Sequence, residues 1–446
     1  MTPDYKQLLR EALAHQLDGP FSSLPVTSVE DMCNVPDACS VVRKPDPEQC
    51  DRLFQDGILE LRSGIFALVI LSGGQGSRVG ASFPKALLPI SPVKSKTLLQ
   101  LHIERVKRIC VLLGNDCPKP KIFIMTSFCN HNTIREYLES MDYFGLGKDQ
   151  FSLVMQANVP CLSMKNEDFL PSSPSSRYSI TTHDCADYEN IVYCSNGNGA
   201  VFEALSKCQD FMDIIDRLKM LHVIAIDNSL SRPLDPVLIG LSTRLPGLEI
   251  LNKCIRKYDN ENLGVFCIGK TPCIIEYSEL EKLPDSSFLR DGEVTLYGNI
   301  CDHMFSGAFL KRVIDGQLYR KLTYHVAKKA VPYYDENLKM EVRPKQPNVY
   351  KLELFIFDIF QFASRIMCLE VERLGQFAPV KYLADCDPSN EKSAQHKMSN
   401  TYKAWLESVG AKIGCGFVEI SPSLSYCGEG LEEYRSKHID GPVYLE

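Results

Sequence analysis

Leu68-Val69-Ile70-Leu71-Ser72-Gly73-Gly74-Gln75-Gly76-Ser77-Arg78-Val79-Gly80, followed by Pro84-Lys85, is the stretch on which the fold turns. An apolar, strand-like run passes directly into a glycine-rich turn that carries two cations, Arg78 and Lys85. Gly73, Gly74 and Gly76 strip side chains from one face of the loop. Backbone N–H groups can then approach a polyanion closely, and the cations add charge where negative charge would sit. The P-loop requires a Lys-Ser/Thr pair that does not close this loop. The dinucleotide fingerprint Gly-x-Gly-x-x-Gly fails by one residue, because Val79 precedes the third glycine, Gly80. The stretch reads as a phosphate cradle at the carboxyl end of a parallel strand. A plain flexible turn between strand and helix is the alternative.

Working outward, the chain alternates strand, turn and helix. Ile65 to Leu71, Lys121 to Thr126, Leu221 to Ile226 and Val265 to Ile268 are short apolar runs bounded by polar turns. Such runs suit strands buried on both faces of a parallel sheet. Between the first two, an amphipathic helix near Thr97 to Leu113 ends at Gly114. The expected class is therefore α/β, a doubly wound sheet with ligands at the carboxyl ends of its strands. Residues 1–62, with helical stretches at Leu8 to Leu17 and Asp51 to Leu61, form an N-terminal segment. Residues 63–384 form the central domain, and 385–446 a small C-terminal lobe. Pro171 to Arg177, rich in Pro and Ser, is expected to be an exposed loop.

At 446 residues the chain is long enough for a large core. Its net charge of −7, with no basic arm, argues against nucleic acid or an anionic membrane as partner. The first residues lack a signal-peptide pattern, and no apolar run approaches the ~20 residues of a membrane-spanning helix. The 18 cysteines contain no Cys-x-x-Cys spacing. Scattered thiols without a secretion signal point to a reducing compartment, the cytoplasm.

Two further strand ends carry chemistry. Ser195-Asn196-Gly197-Asn198-Gly199-Ala200 leads into a helix through Phe202 and Leu205, offering free N–H groups and an amide able to read a ring or hydroxyl. Asp227 ends the run Leu221 to Ile226 and is followed by Asn228. A carboxylate there is costly unless paired or bound to a cation. Magnesium typically takes one or two carboxylates and completes its shell with phosphate oxygens and water. Capping of a turn is the competing role for Asp227.

Leu71-Ser72-Gly73-Gly74-Gln75-Gly76-Ser77-Arg78-Val79-Gly80 with Pro84-Lys85 resembles the hallmark of eukaryotic-type UDP-sugar pyrophosphorylases, Leu-x-Gly-Gly-x-Gly-Thr-Arg-Leu-Gly followed by Pro-Lys. The Gln75-Gly76-Ser77-Arg78 form is similar to the UDP-N-acetylhexosamine branch; UDP-glucose pyrophosphorylases carry Leu-Gly-Thr-Ser-Met instead. Gly197-Asn198-Gly199-Ala200-Val201-Phe202 resembles the family's Gly-Asn-Gly-Gly-Leu-Tyr, departing at Ala200 and Val201; the Ala200 methyl is expected to tighten the pocket. Further matches are Gln156, Glu276-Tyr277, Gly298-Asn299, Tyr324 to Lys329, Pro347 to Asp358, and Phe377-Ala378-Pro379-Val380-Lys381.

The resemblance implies a Rossmann-like mixed sheet of the nucleotide-diphospho-sugar transferase type. It implies uridylyl transfer from UTP to N-acetylglucosamine-1-phosphate or N-acetylgalactosamine-1-phosphate, with Mg²⁺ or Mn²⁺ on Asp227. Arg78, Lys85 and Lys381 would be catalytic. Leu71, Ser72, Gly73, Gly74, Gln156, Gly197, Asp227 and Lys351 would bind the nucleotide. Asn198, Glu276, Tyr277, Asn299, Phe355 and Phe357 would meet the sugar. Without the resemblance, Phe355 and Phe357 read as core, Lys351 and Lys381 as solvated surface charges, and His222 and His325 as structural. A monomer or homodimer is expected. The competing functions are a UDP-glucose or broad-specificity pyrophosphorylase and a non-catalytic nucleotide-sugar-binding protein.

Overall fold

Ile65–Leu71 is a strand, as its apolar run predicts, and six of its seven residues are buried. Phe66, Leu68 and Ile70 enter one hydrophobic core, whereas Ala67, Val69 and Leu71 enter a second on the opposite face. An uninterrupted apolar sequence is what a strand covered on both faces requires. The computed structural model describes residues 4–18, 24–25, 29–30, 39–74, 83–172, 191–258, 261–268, 272–276, 279, 295–381 and 389–446. The Gln75 to Gly80 half of the glycine loop, with Arg78, lies outside the described residues, as do Tyr277 and the part of the Pro/Ser stretch after Ser172.

The main sheet is mixed. From one edge its order is Val29–Glu30, Cys39–Val42, Ile366–Glu370, Ile250–Arg256, Tyr297–Ser306, Leu218–Ala225, Ile65–Leu71, Lys121–Thr126 and Phe151–Met155. Every neighbouring pair is parallel except those made by Tyr297–Ser306, which runs antiparallel to both of its neighbours. Two expectations are corrected here. The strand anticipated at Leu221 to Ile226 spans Leu218–Ala225. Val265–Ile268 does not join a parallel ladder: it pairs antiparallel with Pro272–Ile275 and touches Tyr297–Ser306 at Gly298.

Local signals set the helices. Thr97 caps Leu98–Leu113 by accepting from Gln100 N, and Gly114 closes it at φ 89°. Asp46 and Gln49 form a reciprocal capping box on Pro47–Ser63. That helix packs closely on Pro236–Thr243, because a Cβ on Gly57 would overlap Pro236 O and one on Gly240 would overlap Leu53 O. Its Leu53, Ile58 and Leu61 share the core of Leu68 and Ile70.

The C-terminal helix Glu391–Ser408 and the short strand Val418–Ile420 bury Ala394, Met398, Tyr402, Leu406, Val418 and Ile420 in the same core. Truncating such a side chain to alanine costs about 2–5 kcal/mol for the aliphatic ones. The first helix, Tyr5–Asp18, packs Leu9 and Ala12 against Leu352 and Leu162 of a small antiparallel sheet. That sheet joins His325–Lys329, Val349–Glu353 and Leu162–Ser163 and stands beside the carboxyl end of the main sheet.

Candidate active site

The carboxyl ends of Ile65–Leu71, Lys121–Thr126 and Leu218–Ala225 open onto a cavity of about 490 Å³. The chain leaving Ile65–Leu71 is clamped on both sides: Ser72 N donates to Met125 O at 2.8 Å, and Ile226 N donates to Leu71 O at 3.2 Å. Asn130 then holds the start of the glycine loop, its amide donating to Ser72 O at 2.8 Å and Gly74 O at 3.4 Å. A Cβ on Gly73 would overlap the amide end of the Gln156 side chain, so any larger residue there would displace Gln156. Gln156 is itself placed by its N–H, which donates to Thr126 O at 2.9 Å. Gly73 and Gly74 line the cavity.

Asp227 lies two residues beyond Leu218–Ala225, and its Oδ2 accepts from Lys85 Nζ at 3.1 Å. Burial opposes ionisation of Asp227, but Lys85 and Lys381 outweigh it and hold the carboxyl below its ordinary value. Lys381 reaches this neighbourhood through a strap. Asn228 donates to Gln376 O at 2.7 Å and accepts from Ala378 N at 2.8 Å, and Val380 N donates to Asp227 O at 2.9 Å. Lys381 Nζ donates to Asn262 O at 3.4 Å.

On the opposite wall, Gly197 adopts φ +92°, and a Cβ on it would overlap the Leu354 carbonyl. Asn198 Oδ1 accepts from Ile356 N at 3.0 Å, so this turn is sewn to the chain following Val349–Glu353. Lys351 lines the cavity and pairs with Glu353 at 2.6 Å. Burial lowers the Lys351 pKa, and the neighbouring Glu353 more than restores it. Both ion pairs, Lys85–Asp227 and Lys351–Glu353, present ammonium groups that phosphate oxygens could share.

Leu71, Gly73, Gly74, Lys85, Gln156, Gly197, Asn198, Asp227 and Lys351 thus come together on one cavity. The buried Ser72 lies behind the wall. Phe355 and Phe357 stack with ring centroids 5.0 Å apart, Phe355 also lies 4.5 Å from the His325 ring, and Phe357 is buried in the core. Neither ring lines the cavity, and neither does Ala200, whose buried methyl does not tighten this pocket. Asn299 turns inward on its own strand, its Oδ1 accepting from Cys301 N at 2.9 Å.

Glu276 sits among Glu279, Lys381, His325 and Asp358; burial, then the Glu279 charge, pushes its carboxyl up to about 7. His325 sits in a charged cluster. Burial disfavours its charge, but Asp358 at 2.9 Å and Glu279 at 3.6 Å override that and raise it to about 10. His222 is structural: Nδ1 accepts from Leu234 N at 2.9 Å and Nε2 donates to Asp302 at 2.8 Å. Asp302 shares the buried Lys253 with Asp235, a charged network under the strand that ends near Asp227.

Among the described residues no three His, Cys, Asp or Glu side chains gather into a protein-built metal cage. An ionised Asp227 lining this cavity fits a hard divalent cation that draws its other oxygens from phosphate and water. Asn130 is absent from the sequence reading, which named Asn228 and Glu353 only as members of their motifs and gave them no role. Asn130 was accessible by the same logic that singled out Asp227, since it follows the parallel strand Lys121–Thr126.

The chain matches the family model described as UTP–glucose-1-phosphate uridylyltransferase over residues 59–406. It is 32% identical to UDP-N-acetylglucosamine pyrophosphorylase of Saccharomyces cerevisiae, covering 86% of this chain and 79% of that protein. It is 30% identical to UDP-N-acetylhexosamine pyrophosphorylase-like protein 1 of Homo sapiens, covering 92% and 83% respectively. The fold is shared with the uridine diphosphate N-acetylglucosamine pyrophosphorylase of Trypanosoma brucei, crystallised with an inhibitor. That likeness has a TM-score of 0.76 at 22% identity and covers 99% of this chain and 89% of the other. With a braced glycine loop, paired lysines and an acid at the strand ends, and this match along most of its length, the chain belongs to the UTP–glucose-1-phosphate uridylyltransferase family.

Proposed function

We propose that this protein is a UDP-N-acetylhexosamine pyrophosphorylase. It transfers uridylyl from UTP to N-acetylglucosamine-1-phosphate, or to N-acetylgalactosamine-1-phosphate, and releases pyrophosphate. The observation that carries the reading is the convergence of Gly73, Gly74, Lys85, Gln156, Asp227 and Lys351 on one cavity at the strand ends. The relatives named above support the substrate class.

The sugar-phosphate oxygen is already ionised, so attack on the α-phosphorus needs no protein nucleophile or general base. Catalysis then rests on positioning and on neutralising the charge that builds on the phosphates. The Gly73–Gly74 backbone and Arg78 hold the departing pyrophosphate, while Lys85 and Lys381 face the α-phosphate. Gln156, packed on Gly73, reads the base, and Lys351 binds phosphate after exchanging Glu353 for it. Mg²⁺ or Mn²⁺, when bound at Asp227, would supply further charge neutralisation. Asn198, whose carbonyl is engaged by Ile356, has its amide N–H₂ to offer the sugar, and by resemblance Glu276, Tyr277 and Asn299 are its further sugar contacts. We place the enzyme in the cytoplasm as a monomer or homodimer; its free cysteines and the lack of any helix long and apolar enough to cross a membrane, among the described residues, support that setting.

Pyrophosphate release from UTP, measured with N-acetylglucosamine-1-phosphate, N-acetylgalactosamine-1-phosphate and glucose-1-phosphate, tests the assignment. The N-acetylated substrates should be turned over with the higher kcat/KM. Preference for glucose-1-phosphate would move the protein to the other branch of its family, and no release with any of the three would refute the reading.

A further inference from the structure

Asn158–Pro160, just beyond Gln156, pairs antiparallel with Tyr193–Ser195, just before Gly197 and Asn198. Val159 stands opposite Cys194, and Cys161 prolongs the ladder by donating its N–H to Val192 O at 2.9 Å. Cys161 and Cys194 are therefore diagonal neighbours on one small sheet, and their Sγ atoms lie 3.0 Å apart. A disulfide is ~2.05 Å long, so closing the bond asks for a movement of about 1 Å. Cys161 is buried against Leu170, Val192, Val331 and Val349, whereas Cys194 lines the cavity. The two thiols differ in access while sharing contact, as an attacking and a resolving cysteine must.

We propose that Cys161 and Cys194 are a reversible thiol-modification site, closed to an intramolecular disulfide by a small disulfide of the glutathione type, and that closure lowers the activity of the adjoining cavity. The Cys194 thiolate attacks one sulfur of the small disulfide, its S–S bond breaks, and one thiolate departs. Cys161, after losing its proton to solvent, attacks Cys194 Sγ and expels the second thiolate. Two protein thiols are oxidised and one small disulfide is reduced to two thiols, which take up the two released protons. The hydrogen bond with Cys161 lowers the Cys194 pKa; burial opposes this and Lys351 adds to it, with a net shift downward. The Cys161 thiol is raised by the same hydrogen bond and by burial, which suits the second, resolving position.

The bond would draw Tyr193–Ser195 toward Asn158–Pro160 and shift the wall that ends in Gly197, next to Lys351. Misplacement of a substrate-positioning wall by about 1 Å costs up to about 100-fold in rate. The test uses the full chain, treated with oxidised glutathione, followed by alkylation of free thiols, proteolysis and mass spectrometry, with turnover measured on the same sample. Expected are a peptide linking Cys161 to Cys194, a fall in turnover of about tenfold or more, and recovery of both in dithiothreitol. In Cys161→Ala the cross-link should be absent, with one glutathione on Cys194 instead, and reduced enzyme should keep its turnover. Should that variant not fold, the wild-type map decides alone. Absence of the cross-link under conditions that glutathionylate the exposed Cys129 and Cys415 would overturn the proposal. So would a cross-link that leaves turnover unchanged, or inactivation without it. The peptide map is read without reference to substrate, so its failure is distinguishable from failure of the assigned reaction.

Discussion

Asn228 is a positioning residue, and replacing it with alanine should separate stability from turnover in a measurable way. Its side chain is 1% exposed and makes two short bonds, to Gln376 O at 2.7 Å and from Ala378 N at 2.8 Å. A third, from Leu230 N, is 3.3 Å and weaker. Each lost bond removes about 1 kcal/mol, and each buried backbone group left without a partner adds about 1–3 kcal/mol. Partial rescue by entering water brings the expected cost of Asn228→Ala to about 3 kcal/mol. Those two bonds, with Val380 N to Asp227 O and Ser229 to Ala378 O, tie the Gln376-to-Lys381 strap to the strand end bearing Asp227, so losing the Asn228 pair would loosen the placement of Lys381. A loss in kcat of about 10- to 100-fold should follow, with KM for UTP changed far less. Urea unfolding gives the first quantity and steady-state kinetics on the folded protein the second. A folded Asn228→Ala enzyme with kcat within twofold of wild type would refute the argument that the strap places Lys381.

Other outcomes follow from the same geometry. Lys85→Ala should lower kcat by about 100- to 1,000-fold, because a cation near the reacting phosphates is removed; an unaltered kcat would remove Lys85 from the chemistry. Gly197→Ala should destabilise by about 3 kcal/mol or more, since Gly197 has φ +92° and the new Cβ meets the Leu354 carbonyl. Gly247→Ala, at φ +72° in open space, should cost about 1–2 kcal/mol, and equal losses at the two sites would contradict the close-approach argument. Glu276 titrates near 7 in the native protein against an ordinary 4.5. The folded state therefore holds a proton that the unfolded chain has released: that stability is complete below about pH 4.5 and is lost as pH rises through about 7. Glu276→Gln should flatten the stability profile in this window, by up to about 3 kcal/mol; an unchanged slope of urea midpoint against pH would show that Glu276 is not perturbed.

Much of the frame was readable in residues 65–126, where period and punctuation agree. Thr97 and Gly114 bracket a helix, and two apolar runs on either side fill a sheet covered on both faces. Tyr297–Ser306 was not legible as a central strand, because Gly298, Asn299, Asp302 and His303 interrupt its apolar pattern. Two of these side chains find tertiary partners, Asp302 in His222 and His303 Nδ1 in Asn252. A buried network of this kind is invisible to a one-dimensional hydrophobic pattern. Val265–Ile268 misled for the opposite reason: four apolar residues cannot distinguish a parallel strand from a hairpin arm.

At the site, residue type and position relative to a strand end carried the reading. Gly73, Lys85, Gln156, Asp227 and Lys351 were named on that basis, or by resemblance, and they face one cavity. Phe357 shows where such carry-over needs the third dimension, since its ring, four positions beyond the cavity-lining Glu353, lies in the core. Asn228 and the His325–Asp358–Glu279 cluster depend on chain segments far apart in sequence, so no local pattern could announce them.

The central claim is that the cavity joins a uridylyl group to a sugar phosphate while the glycine loop carries away pyrophosphate. Phosphorus NMR of the protein incubated with UTP, N-acetylglucosamine-1-phosphate and Mg²⁺ tests it most directly. The account predicts that UTP and the sugar phosphate disappear together as UDP-N-acetylglucosamine and pyrophosphate appear in equal amounts. Consumption of UTP to UMP or inorganic phosphate without the nucleotide sugar, or no consumption at all, would contradict it.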